Sequence, residues 1–238
     1  MTAVAATLPR SVAVVAEPAD LAVRLMRQIM RHNLQPELAV HPSWLPAAWP
    51  ARYRPIVRRF TPKVSHALGG VLQRCGVLAA TADYHFDSRR KRLLLLDGQA
   101  LRRLSFYLSL CAHAPLLRLR RDALAAQLRR HARRLDANAV EFVLDRAPQP
   151  TEVRMSDTAF RADPWSSGRL LMERGYRLLL ATVLPEGESV VRCMQLRFPK
   201  RAAALNVPTL QPRARAQLEE LILSCIVPER MSEWDWLF

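Results

Sequence analysis

Apolar residues in the central third of the chain recur at helical spacing. Leu101, Leu104, Leu108 and Cys111 follow Asp97-Gly98 in steps of three and four, which predicts a helix opened by that aspartate. Pro115 opens a second helix. There Leu117, Leu124, Leu128 and Leu135 are spaced by 7, 4 and 7, so that at about 100° per residue they share one narrow face. Arg118, Arg120, Arg129, Arg130, Arg133 and Arg134 fall on the remaining face, with Arg121 at the seam. The pattern predicts one amphipathic helix from Pro115 to Leu135 with an arginine back.

Outside that third the periodicity is shorter. Asp20 precedes Leu21, Leu25, Ile29 and Met30, a stripe predicting a helix over Leu21–His32 that ends near Asn33 and Pro36. Residues 1–18 read as a disordered tail, with no basic segment ahead of their apolar run to suggest a signal peptide. Leu38 to Pro62 is broken by five prolines around Trp44, Trp49, Tyr53 and Phe60, and predicts short turns packed by their aromatics. Lys63–Arg74 predicts a helix weakened by Gly69-Gly70. Asp136 is expected to cap a helix reaching Arg146, and Ala147–Asp163 to form a polar connector. Pro164 suits the first turn of a long helix through Leu170, Leu171, Leu178, Leu179 and Val183, stopped by Pro185 and Gly187. Ser189–Phe198 fits a strand through Val191, Cys193, Gln195 and Arg197, and equally a helix through Val190, Met194 and Arg197. Pro212–Val227 predicts a helix with Leu218, Leu221, Ile222, Cys225 and Ile226 inward.

Composition agrees with this pattern. With 7 glycines against 17 prolines in 238 residues, helices joined by rigid connectors fit better than hairpins. The expected fold is a mainly α, single irregular multi-helix domain over 19–227, with proline-rich connectors, at most one short extended segment near 189–198, and an acidic-aromatic tail over 228–238. No uncharged run reaches the ~20 residues that a membrane span needs. Cys75, Cys111, Cys193 and Cys225 stand apart among apolar neighbours, as buried thiols in a reducing cytoplasm would.

Charge changes the picture. Arg89 to Arg134 holds thirteen basic residues against Asp97 and Asp122, which is eleven of the chain's fifteen net positive charges. Arg89, Arg90 and Arg92 form a first cluster, and Arg118 to Arg134 a second. A block of this density draws acidic partners. It accommodates a solvated face without a partner, a phosphate-tracking surface, or a dock for an acidic protein or anionic membrane face. Phe106 and Tyr107 lie among core leucines rather than between the arginines, so no base-stacking platform is visible.

No enzyme motif accompanies the charge. Walker, GxGxxG, HExxH and GxSxG patterns are missing, and Ser166-Ser167-Gly168 reads only as a helix start. The six histidines share no ligand spacing, and His85 between Asp83 and Asp87 reads as a solvated loop. The sequence therefore predicts a binding protein, not an enzyme, with no cofactor or metal. Its end, Glu229 to Phe238, sets Trp234 and Trp236 among Glu229, Glu233 and Asp235. That segment suits a partner peptide, a cover for the chain's own arginines, or a tail packed into the core.

Three features together resemble the SctK family of type III secretion accessory proteins, in its plant-pathogen Hrp-type branch. They are Trp44-Leu45-Pro46 with Trp49, the leucine-rich stretch from Leu93 to Leu117, and RCMQLRFP over Arg192–Pro199 before a last amphipathic helix. The likeness spans residues 40–226. It implies a helical, cytoplasmic, non-enzymatic component of the injectisome sorting platform, at the cytoplasmic face of the inner membrane when assembled. Such a protein would link the cytoplasmic domain of the ring protein SctD to the spoke protein SctQ, with peripheral membrane association through those partners. Helix geometry makes Arg118, Arg120, Arg129, Arg130, Arg133 and Arg134 the expected docking face, to which Arg89, Arg90 and Arg92 of the basic block and Trp234 and Trp236 of the acidic-aromatic end are added. The alternative is a basic, helical, nucleic-acid-associated protein.

Overall fold

Helix α1 spans Pro18–Leu34. It starts earlier than the leucine stripe suggests because Pro18 brings a helical φ to the first turn, and Asp20 sits inside that turn rather than capping it. Ile29 is buried, and Leu21 and Leu25 are half-buried. Met30 is not inward as expected. It is exposed with Val23, Met26 and Leu34 on a second apolar stripe. The computed structural model describes residues 18–44, 69–74, 82–153, 155–203 and 206–238. The expected N-terminal tail, the turns around Trp49, Tyr53 and Phe60, and most of the Lys63–Arg74 helix lie outside these residues.

Two 3-10 turns follow α1, Pro36–Ala39 and Pro42–Trp44. The Trp44 indole donates to the Phe198 carbonyl at 2.9 Å, so these turns are held from the far end of the sequence. Residues 69–74 lie in a helix, α2, which buries Leu72. The Ser88 side chain caps α3 (Arg89–Arg92), which runs into a buried 3-10 turn, Leu93–Leu95.

The centre of the fold is the crossing of α4 (Gly98–Ala112) with the later long helix. As its sequence suggests, Asp97 Oδ1 accepts the Ala100 N–H at 2.7 Å, which satisfies one of the first-turn donors. Leu101, Leu104, Leu108 and Leu110 are fully buried, each contributing roughly 1.5–3 kcal/mol.

After α4 the chain departs from expectation. The single Pro115–Leu135 helix is two pieces, α5 (Ala114–Leu117) and α6 (Ala123–Leu135). The break is local chemistry: Asp122 Oδ1 accepts the Ala125 N–H at 2.9 Å and starts α6 afresh, which leaves 118–122 as a turn. Leu117, Leu124 and Leu128 are buried, whereas Leu135 at the helix end is exposed.

Asp136 does not cap the next helix. Asn138 occupies that position before α7 (Ala139–Glu141), which continues as a π-helical turn to Arg146. The connector that follows is less polar than expected, since it buries Val153 and, within α8 (Thr158–Ala162), Phe160. A 3-10 turn at Pro164–Ser166 then opens α9 (Ser167–Val183).

Helix α9 packs on α4 at Gly175. A Cβ there would stand 1.9 Å from the Ser105 carbonyl oxygen, so only glycine allows the approach. Buried Ser105 and Ser109 keep the facing side of α4 thin. Gly187, at φ +103°, turns the chain after Pro185. The ambiguous segment is helical, as α10 (Glu188–Leu196), and the burial of Val190, Val191 and Met194 in the core follows a helical spacing. The short α11 (Lys200–Ala203) precedes α12 (Pro212–Leu221), and a π-helical turn then leads into α13 (Val227–Arg230). All five residues expected inward in this last stretch are buried.

The C-terminal segment is part of the fold rather than a tail. Residues Ser232–Leu237 form a 3-10 helix, with Met231 and Leu237 buried. Arg230 donates to the Asp136 carboxylate and to the Tyr107 hydroxyl, and Tyr107 donates to the same carboxylate. Among the described residues every regular element is helical, so the protein is mainly α.

Candidate functional site

The two arginine clusters have different fates. In the first, Arg90 Nε lies 3.3 Å from Glu186 and 3.4 Å from Glu219. Lys91 meets Asp83 at 2.7 Å. Arg92 donates to the Phe86 carbonyl at 2.8 Å and the Leu237 carbonyl at 3.2 Å. Arg90 and Arg92 therefore tie neighbouring elements together. Of this cluster, Arg89 is exposed and makes no ion pair among the described residues.

Trp234 and Trp236 are likewise engaged within the fold. Their rings stack at 6.5 Å, both are half-buried, and the Arg24 guanidinium covers Trp236 at 4.1 Å. Of the readings open for this segment, it packs on the core and covers some of the chain's own arginines: Glu233 pairs with Arg103 and Glu229 with Arg146, each at 2.9 Å. It does not reach the arginines of α6.

The second cluster surrounds the 118–122 turn. Arg129, expected to face outward, instead folds back over this turn. Its guanidinium donates to the carbonyls of Leu117 at 2.6 Å and Leu119 at 3.0 Å, with Arg120 at 3.4 Å. The Leu117 carbonyl is at the end of α5 and the other two belong to the turn after it, so Arg129 caps the helix and braces the turn. Arg133 pairs with Glu141 at 2.7 Å. Arg118 makes one long contact, 3.4 Å to the Leu144 carbonyl. Arg120, Arg121, Arg130 and Arg134 are exposed and meet no acid among the described residues.

Apolar surface adjoins these charges. On one side of the turn a hollow of about 590 Å³ is lined by Ala112, Pro115, Leu116, Leu119, Pro150 and Val153 among others. Leu119 itself is 49% exposed. On the other side a shallower hollow gathers Arg118, Arg120 and Arg129 beside Asp145. The turn thus sets an exposed leucine between an apolar hollow and a cationic one, the combination a protein-docking surface uses.

One residue of this surface escapes the sequence reading. Trp165 is 96% exposed, in the 3-10 turn before α9. Gln127 of α6 donates to the Pro164 carbonyl at 2.5 Å, and His131 of α6 fills the space beside Gly168. The indole therefore belongs to the neighbourhood of the arginine helix. Its signal in the sequence is weak: an aromatic residue just after the helix-starting Asp163-Pro164, off the Leu171–Leu178 stripe.

His85 is exposed, and Asp83 accepts its backbone N–H. Cys111 and Cys225 are buried free thiols, Cys193 is half-buried, and burial raises all three above the usual thiol range. Cys75 lies outside the described residues. Among the described residues no group of three or more His, Cys, Asp or Glu gathers to hold a metal ion, and no helix is long and apolar enough to cross a membrane. No protein-family model, curated protein or solved structure matches the chain.

Proposed function

We propose that this chain is a non-enzymatic cytoplasmic adaptor of a bacterial type III secretion sorting platform, joining the cytoplasmic domain of SctD to SctQ. The resemblance in Trp44–Pro46, Leu93–Leu117 and Arg192–Pro199 motivates the system, and the mainly α fold is compatible with it. The observation that carries the docking role is the state of the arginines around the 118–122 turn. Two guanidiniums, those of Arg120 and Arg121, keep their charge unneutralised on the turn that carries the exposed Leu119 beside its apolar hollow, and those of Arg130 and Arg134 do so farther along α6. Long-range attraction brings an acidic partner to this face, and the apolar hollow supplies the contact that holds it.

A second reading, a nucleic-acid-associated protein, draws on Trp165, an exposed aromatic in the turn that α6 contacts. Affinity purification from cytosolic and membrane extracts at about 150 mM salt, with and without nuclease, separates the two. Recovery of ring and spoke proteins in both samples supports the adaptor. Recovery of nuclease-sensitive material alone overturns it.

A further inference from the structure

Helix α6 divides its arginines between two flanks. Counting about 100° per residue from Gln127, Arg134 and Arg130 follow at about 20° and 60° on one side. Arg133 and Arg129 lie farther round, toward Glu141 and the α5 end that they bind. Gln127 and His131 touch the Pro164–Gly168 segment. The two unpaired arginines of α6 are therefore nearer than Arg129 and Arg133 to the flank that meets the Pro164–Gly168 segment, which carries Trp165. The Arg134 charge is felt at His131, whose pKa is lowered by burial and then by that guanidinium.

The turn that carries the indole is held in place, although nothing covers the indole itself. Pro164 fixes the backbone before it, and the Pro164 carbonyl accepts from Gln127 and from the Ser167 hydroxyl. Asp163 Oδ1 accepts the Ser166 N–H at 3.2 Å. A large apolar side chain kept in water on a rigid turn is preorganised for a partner, since little backbone entropy is lost on binding.

The acids nearby are already committed. Arg161 takes Asp122 at 3.2 Å and Asp157 at 2.7 Å. Arg169 lies between Asp163 at 3.9 Å and Glu173 at 3.8 Å. Arg130 and Arg134 make no ion pair among the described residues, so this side of the molecule offers an exposed indole and two uncompensated cations.

We infer that Trp165, Arg130 and Arg134 form a docking patch for an acidic protein segment, one that places an apolar side chain against the indole and carboxylates against the two arginines. This rests on reading the arginine face as a protein-docking surface. A single-stranded nucleic acid is the less suited occupant because stacking platforms present several aromatics in a row. Here the only other large aromatic exposed among the described residues is Tyr84, in the segment before α3.

The test is site-specific photocrosslinking in the cell that makes the protein, with Trp165→p-benzoylphenylalanine in the full chain. The crosslinked peptide is mapped by mass spectrometry, and the captured protein is purified and titrated against variants. The expected adduct is a peptide of net negative charge that contains an apolar residue, and it disappears in Arg130→Glu/Arg134→Glu. Trp165→Ala weakens binding of the purified partner by about tenfold or more, and Trp165→Phe restores part of it. Both leave the melting temperature unchanged. Adducts to nucleic acid, to neutral or basic peptides, or to nothing overturn the inference, as does unchanged affinity of Trp165→Ala. An acidic adduct on a protein outside the secretion apparatus keeps the patch and removes the adaptor reading. Capture of ring and spoke proteins that ignores Trp165→Ala does the reverse.

Discussion

Arg174 and His113 are hydrogen-bonded across the buried α4–α9 contact, with Nη1 2.8 Å from Nε2. The guanidinium also lies 4.1 Å over the Phe160 ring. With an arginine donating to it, His113 must stay neutral, and burial followed by the Arg174 charge holds its pKa down to about 3. His32 is in the same position. Arg197 Nη2 lies 3.0 Å from its Nδ1, and burial followed by the Arg197 charge lowers its pKa to about 3.

A pH dependence follows. Both pKa values are below the unfolded value of 6.5, so the unfolded chain binds more protons as pH falls. Stability is complete above pH ~6.5 and is lost on the way down toward pH ~3, at about 1.4 kcal/mol per pH unit for each imidazole. Urea midpoints measured from pH 7 to pH 4 should fall steeply, and the His32→Gln/His113→Gln double variant should flatten that slope.

Gly175→Ala tests the helix crossing. The new Cβ would meet Ser105 backbone, which has no flexible end to yield. We expect a loss of about 3 kcal/mol or more, or failure to fold, by thermal melting. Gly187→Ala has open space and only an unfavourable φ, and should cost about 1 kcal/mol.

Asp136→Asn should loosen the C-terminal segment. It removes the charge that Arg230 answers and weakens the acceptor shared with Tyr107. A loss of roughly 1–3 kcal/mol is expected, with faster amide exchange over 227–238. Unchanged exchange there would mean that Met231 and Leu237 hold the segment by packing alone.

The arginines of α6 should separate by role. Arg129→Glu breaks the cap on α5 and should lower the melting temperature, consistent with about 1–2 kcal/mol. Arg130→Glu and Arg134→Glu touch no acid among the described residues and should leave it unchanged.

Much of this architecture was legible in the sequence because it is local. Asp97 opening α4, Pro164 leading into α9 and Gly187 ending that run are short-range signals, and the leucine spacing named the core residues. The failures share a different cause. The Leu117–Leu135 periodicity continues through 118–122, yet one side-chain hydrogen bond from Asp122 restarts the helix there. Arg129 looks solvent-facing on a helical wheel, and Arg90 and Arg92 look like part of one basic cluster, but their partners lie in other elements or across the turn. Trp165 has no periodic neighbour to mark it, and its exposure is a property of the assembled fold.

The most direct test of the docking account is a binding titration at about 150 mM salt. It compares the wild-type protein with Arg120→Glu/Arg121→Glu/Arg130→Glu/Arg134→Glu against the purified SctD cytoplasmic domain and SctQ. The account predicts that the variant melts like wild type and loses binding to at least one of the two. Equal binding by a folded variant would contradict it.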